Sequence, residues 1–460
     1  MQIHKLMGGL GVAALLALGS TVSTPVRAAE DGADTASSEL ALPFERYNLD
    51  NGMEVILHRD TSAPLVAVNL WYHVGSGDET PGKSGFAHLF EHMMFQGAKH
   101  IGEDVHFDTL KRIGASGING TTNPDRTNYF EVVPSNQLET ALWLESDRMG
   151  YMLDLLNEKS LANQRDVVRN ERRQRYDNVP YGRARFAASA AMYPEGHPYR
   201  YLTIGRHEDL EAASLEDVRK FFARWYAPSN ATLVLSGDFD PAQAKELVAK
   251  WFGTFPAIPR PDHSPAAAPV LDANKRVEVE DPMARLEQIQ YTWVSPAMLG
   301  EGDLAMDGVA AVLSADGWGR LERRLKLEEG LVRSVYAYQY GSGFSGTFSV
   351  VAQLRPGVDR ARVEAIINEE IQKVIDNPVD AAELNRMVVS AKTNFVWRLE
   401  TVAGRADQLQ FFNHYTGDPG YLTTYAQRLD NLTPASLQAA AKQWLSAPRI
   451  EVITVPGGAK

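Results

Sequence analysis

The 460-residue chain has no cysteine. Disulfides, thiolate metal sites, iron–sulfur clusters and cysteine nucleophiles are therefore excluded. Positive charge is not in excess: 46 Lys and Arg stand against 58 Asp and Glu, a net charge of −12. Such a surface suits neither nucleic acid nor an anionic membrane. Past the N-terminus, no run reaches the ~18 consecutive apolar residues of a membrane span. The remaining composition, 44% hydrophobic and 23% charged, is that of an ordinary globular chain with a large core.

The first 28 residues read as an export signal. Lys5 precedes an apolar stretch from Leu6 to Leu18, and Val26-Arg27-Ala28 offers the side chains a signal peptidase reads. Cleavage near residue 28 is expected, then a polar, flexible segment over 29–42. The implied location is the periplasm, with no stable membrane anchor.

The rest looks like one domain written twice. Segments 214–238 and 433–457 align without a gap, with Ser214 opposite Thr433 as helix N-caps and Trp225 opposite Trp444. Leu65–Tyr72 resembles Gln288–Val294, with Trp71 opposite Trp293. A Pro- and Ala-rich stretch, 255–272, reads as a linker. Asn51-Gly52 signals a hairpin, and Asn136–Leu155 and Gln243–Trp251 carry helical spacing. The expected class is α+β: two homologous mixed α/β domains, 43–254 and 273–460, each a sheet packed with helices.

Candidate chemistry lies in SGFAHLFEHMMFQ, residues 84–96. On a helix His88, Glu91 and His92 share one face. Imidazoles one turn apart can both reach a Zn²⁺ at ~2.0–2.1 Å, and a carboxylate between them can reach a water on that metal. Ser84 is the expected N-cap. Chance supplies roughly 0.03 such His-x-x-acid-His patterns in a chain of this composition. Burying three ionisable groups on an apolar helix without a metal costs several kcal/mol. A catalytic zinc takes a third protein ligand. Glu171, in a helix expected over 161–178, is one candidate among other acids; its neighbours Arg165, Arg169, Arg172, Arg173 and Arg175 read as a solvated face.

The order His-x-x-Glu-His is the inverted zincin motif. With the Asn-Gly hairpin, the GxxHLxEHMxF helix, the later Glu helix and the duplication, the chain over 43–460 resembles the insulinase/pitrilysin family of zinc peptidases, in its short mitochondrial-processing-peptidase-like branch. The resemblance implies one zinc per chain held by His88, His92 and Glu171, with Glu91 activating the water. It implies a Glu seven residues before Glu171, where this chain has Gln164, so an outer charge beside the metal is missing. It implies an edge strand in 117–130 whose Asn119 and following backbone pair with an extended peptide; after that Asn the family usually has Ala, here Gly120. The alternative for this segment is an ordinary strand and turn, with Asn123-Pro124-Asp125 as the turn.

The second copy lacks the metal: Ala310, Leu313 and Ser314 fall opposite the three motif residues. The family's Arg/Tyr pair, which holds substrate, is replaced by Lys326 and Arg333, and nearby Tyr336 is expected on the opposite face of its strand from Arg333. The resemblance therefore implies a zinc metalloendopeptidase acting on peptides or unfolded segments in a clamshell chamber. The chain would be its zinc-bearing half, in a heterodimer with a paralogous subunit or else a homodimer. The alternative is a non-catalytic assembly or chaperone-like subunit.

Overall fold

Asn51-Gly52 turns the chain as expected: β1 (Glu45–Asn48) and β2 (Glu54–Arg59) pair antiparallel around it. In this computed structural model residues 41–457 are described, apart from residues 104 and 264. The expected export signal, 1–28, and nearly all of the segment 29–42 expected to be flexible lie outside the described residues. The first sheet is completed by β3 (Leu65–Tyr72), β4 (Ser116–Thr122), β5 (Thr127–Pro134) and β6 (Ala231–Gly237), in the order β1-β2-β6-β3-β5-β4. A second sheet holds β7 (Lys275–Asp281), β8 (Gln288–Ser295), β9 (Val332–Tyr340), β10 (Gly346–Leu354) and β11 (Arg449–Pro456), in the order β7-β11-β8-β10-β9. Leaving β1 aside, the two orders are identical when strands are matched in chain sequence. Each sheet also has one parallel pair at the same place, β2 with β6 and β7 with β11. Between 257 and 274 no described residue lies in helix or strand.

Seven helices matter for the site: α1 (Phe86–Met93), α2 (Glu158–Arg172), α3 (Gly182–Met192), α4 (Leu215–Trp225), α5 (Asp303–Ser314), α6 (Val402–Thr416) and α7 (Pro434–Leu445). Ser214 and Thr433 cap α4 and α7, each accepting the N–H three residues on at 3.2 and 3.1 Å. The repeat seen in the sequence is thus a repeat of strand order and of helix caps.

Along the strands the proposed register fails. Trp71 faces α6, its ring tilted at 59° to that of His414, while Trp293 lies in the core beneath the second sheet beside Tyr291 and Phe348. A one-residue slip carries every side chain of a strand to the other face. Two tryptophans matched on sequence alone therefore belong to opposite faces.

The inner face of each sheet carries its own apolar core. The outer faces are covered by exchange. α6, from the second half, packs Val402, Ala406 and Leu409 on Ile56, Ala67 and Val234 of the first sheet. α3, from the first half, packs Ala184, Ala188 and Met192 on Ile450 and Val452 of the second. Residues 41–457 belong to one compact unit, because neither half can bury its outer sheet face without the other.

Candidate metal centre

α1 begins at Gly85, whose φ of +90° is open to glycine at little cost. Ser84 does not cap it, contrary to expectation. Its hydroxyl is spent on the Asp209 carboxylate. The helix's first N–H groups are met instead by Glu79, which accepts from Gly85 N at 3.0 Å and Ala87 N at 2.8 Å. Nothing in the spacing of residues 79–92 announced this, since a cap normally sits next to its helix. Burial raises the Glu79 carboxyl well above the ordinary range, against the pull of the two N–H bonds. Replacing Glu79 by Ala strands both donors and is expected to cost about 1–2 kcal/mol, read as a lower urea midpoint with unchanged slope.

Leu89, Phe90 and Met93 anchor α1 in the core, so the opposite face, carrying His88, Glu91 and His92, turns toward α2. Glu171 meets it there. Its Oε2 lies 3.2 Å from His92 Nε2 and 3.6 Å from His88 Nε2. One ligand atom from each of the three residues fits within 4.8 Å of the others, the one such cluster found among the described residues. The imidazole planes stand at 86°, so the two rings approach the space between them from different directions. Burial, then the neighbouring His92, lowers the His88 pKa to about 4, which keeps the ring neutral and its lone pair available. Burial pushes the Glu171 carboxyl up, but the His92 bond and the charges around it outweigh that and leave it below the usual range. Arg175, one turn on, pairs with the other Glu171 oxygen at 2.7 Å. Two imidazole nitrogens and a carboxylate oxygen are the donor set that zinc takes.

Glu91 is not part of that cluster. Its Oε2 accepts the Thr122 hydroxyl at 2.5 Å. Burial raises its carboxyl above the ordinary value, against the Thr122 bond and the charges of His92 and Arg126. Thr122 was missed in the sequence; lying two residues beyond Gly120 in an expected strand, it shares that residue's face, which was the available signal. Gly120 itself abuts the site. A Cβ there would stand 3.1 Å from both Glu91 Cγ and Phe95 Cε2, so the missing methyl gives the Glu91 side chain its room.

Asn119 and Gly120 lie on β4, the end strand of the first sheet, opposite Phe130 and Tyr129 of β5. The pairing is irregular just before them, at Gly117 with φ +61°. Asn123 closes the hairpin by accepting the Asp125 and Arg126 N–H groups, each at 2.8 Å. Gln164 is buried on α2 two turns before Glu171. The arginines of α2 are not simply solvated, as the charge pattern suggested. Arg165 donates to the carbonyls of Glu211 and Ala213, and Arg172 to that of Gly205, which ties α2 to the loop before α4.

In the second half, α5 stands where α1 does. Matched by its glycine cap, Gly302, the three motif positions are Ala305, Gly308 and Val309; matched by the sequence offset they are Ala310, Leu313 and Ser314. Neither set can hold a metal. Lys326 pairs with Glu322 one turn away. Arg333 is the extra residue of a bulge: Val332 pairs with Leu354 and Ser334 with Gln353. The bulge shifts the strand's phase, so Val332 and Val335 are buried while Arg333 and Tyr336 are both exposed. The expectation that Tyr336 faces away from Arg333 is thereby corrected.

The family model described as insulinase (peptidase family M16) matches residues 54–197, and one described as the peptidase M16 inactive domain matches 212–389. The zinc protease PqqE of Helicobacter pylori is 27% identical over 424 residues, 90% of this chain and 93% of that protein. A protease from Helicobacter pylori has a crystal structure with a TM-score of 0.85 at 25% identity, covering 90% of this chain and all of the other. The periplasmic protease PqqL from Escherichia coli shares the fold at a TM-score of 0.74 and 18% identity; 90% of this chain spans 48% of that one. Among the described residues no helix is long and apolar enough to cross a membrane. With two models of one family matching consecutive stretches that take in well over half of its length, the chain belongs to the insulinase family, peptidase family M16.

Proposed function

We propose that the chain is a zinc-dependent endopeptidase hydrolysing peptides or unfolded polypeptide segments. The observation that carries this reading is the approach of His88, His92 and Glu171 to within one metal's reach, beside a separate carboxylate, Glu91. The relatives named as zinc proteases support it. Zinc bound by the three residues would supply Lewis acidity and make a water acidic near neutral pH.

The chain's own residues do the rest. Glu91, with one oxygen held by Thr122, takes the water's proton on the other and returns it to the leaving amine. Its raised pKa makes it a stronger base than an exposed carboxylate. Asn119 and Gly120 lie where the free edge of β4 would pair with an extended peptide, main chain to main chain, which tolerates many sequences.

Thr122→Val is expected to lower kcat about tenfold with zinc content and KM nearly unchanged, because it removes a hydrogen bond to a charged base and nothing from the peptide. A proportional rise in KM would assign Thr122 to binding instead.

A second, similar chain completes the enzyme in this reading. Lys326 cannot form the bidentate fork of an arginine, and it is engaged with Glu322. That the chain spans 48% of PqqL leaves room in that protein for a second unit of this size, which supports pairing here. The periplasmic description of PqqL and the N-terminal segment support the same compartment for this chain. The decisive experiment combines zinc stoichiometry with cleavage of a quenched peptide, with and without chelator. One zinc per chain and chelator-sensitive cleavage are expected. Full activity from the chain by itself would remove the second subunit from the mechanism, and one zinc without cleavage in any pairing would leave an assembly role.

A further inference from the structure

The exchanged helices cover their sheets unequally. α6 lies over the middle of the first sheet and closes it with apolar contacts. α3 sits instead toward β7 and β11, and the outer faces of β8, β9 and β10 are left lining a cleft of about 700 Å³. That is the size of a ligand site, whereas interiors otherwise close to near-crystalline density. The walls are polar but nearly uncharged. Gln288, Gln290, Thr292 and Ser349 come from the sheet, and eight tyrosines surround them, with Tyr336, Tyr338 and Tyr340 in a row on β9. The one charged side chain of the lining is Arg185 on α3, exposed and in no ion pair with a described residue. No carboxylate lines the cleft, although acids outnumber bases in the chain. At its edge Tyr181 holds φ +65°, fixed by its N–H to Asp281 at 2.7 Å and its hydroxyl to the Leu286 carbonyl at 3.1 Å. Such strain persists only where surrounding contacts enforce it. The lining includes Tyr176, in the turn that continues α2 past Arg172, and Pro124 at the tip of the β4–β5 hairpin, so the cleft borders the same hairpin as the metal centre and the C-terminal extension of its second helix.

We infer that this cleft binds a carboxylate-bearing stretch of the peptide substrate, remote from the bond to be cut, with Arg185 as the partner of the carboxylate and the tyrosines as walls. Tyrosine offers large amphipathic area at low entropic cost, and arginine pairs carboxylates in fixed geometry. Arg333 is exposed on the same strand as the tyrosine row; at Tyr181 its positive charge works against the stronger effect of the Asp281 carboxylate. The inference rests on the peptidase reading, and binding tests it separately from turnover.

Two fluorescent peptides of one sequence, ending in three glutamates or three lysines, are titrated by anisotropy into the full zinc-loaded chain carrying Glu91→Gln. The glutamate peptide is expected to bind at least tenfold more tightly, against the chain's overall negative charge. In a second chain also carrying Arg185→Glu the preference should vanish or invert. Arg185 is exposed, so an unchanged melting temperature checks the fold. Equal binding of the two peptides, a preference indifferent to Arg185→Glu, or no binding of the glutamate peptide at micromolar chain overturns the assignment. A benzophenone in the bound tail should crosslink to α3 or β9; crosslinks confined to other elements overturn it as well. Loss of cleavage in the parent chain with the charge preference intact would instead remove the peptidase reading alone.

Discussion

Glu91→Gln is expected to keep one zinc per chain and to lose 10²–10⁴-fold in kcat, the range that a positioned general base supplies. The substitution keeps shape and leaves an amide oxygen for the Thr122 hydroxyl, now 2.5 Å from the carboxylate, so fold and peptide binding should hold. What disappears is the ability to take a proton. Because Glu91 stands outside the His88, His92 and Glu171 cluster, metal content and turnover should separate cleanly. A variant that retains more than a tenth of the parent kcat would mean that the base is elsewhere; one that also loses zinc would make Glu91 a ligand.

His88→Ala and Glu171→Gln should fail earlier, at the metal. Removing partners outside the ligand set already costs 10–100-fold in affinity at known sites, and loss of a direct ligand should cost more. The readout is twofold: zinc per chain after dialysis, and the rise in stability on adding zinc. At zinc one hundred times its Kd the parent chain should gain about 2.7 kcal/mol of stability, and the variants essentially none at the same concentration. Glu171 has the larger electrostatic part. Its carboxylate lies between two imidazoles and carries Arg175 on its far oxygen, so the glutamine removes the one negative charge in the cluster. Retained zinc in both variants would end the ligand assignment.

How much of this was legible beforehand depended on distance along the chain. Residues His88, Glu91 and His92 fall within five positions, where helical periodicity alone brings them to one face. Their approach to Glu171, across two helices, could be ranked only by resemblance to a family, since spacing cannot choose among distant acids. Thr122 and Glu79 show the same limit. One touches Glu91 across a strand–helix contact and the other caps α1 from six residues upstream, and neither follows from a local rule. The tryptophan match failed for a related reason: a strand's facing is fixed by the sheet it joins, and one residue of slip inverts it.

By itself the sequence determined the duplicated architecture, the helix that brings His88, Glu91 and His92 to one face and the absence of such residues from the second copy, because caps, periodicity and residue identity are local or repeated quantities. Only the tertiary structure decided that each half covers the other's sheet, that a bulge turns Arg333 and Tyr336 to the same side, and that α3 leaves a tyrosine-walled cleft open. Those depend on how surfaces from residues hundreds of positions apart fit together, and burial energy between such surfaces has no signature in any short stretch of chain.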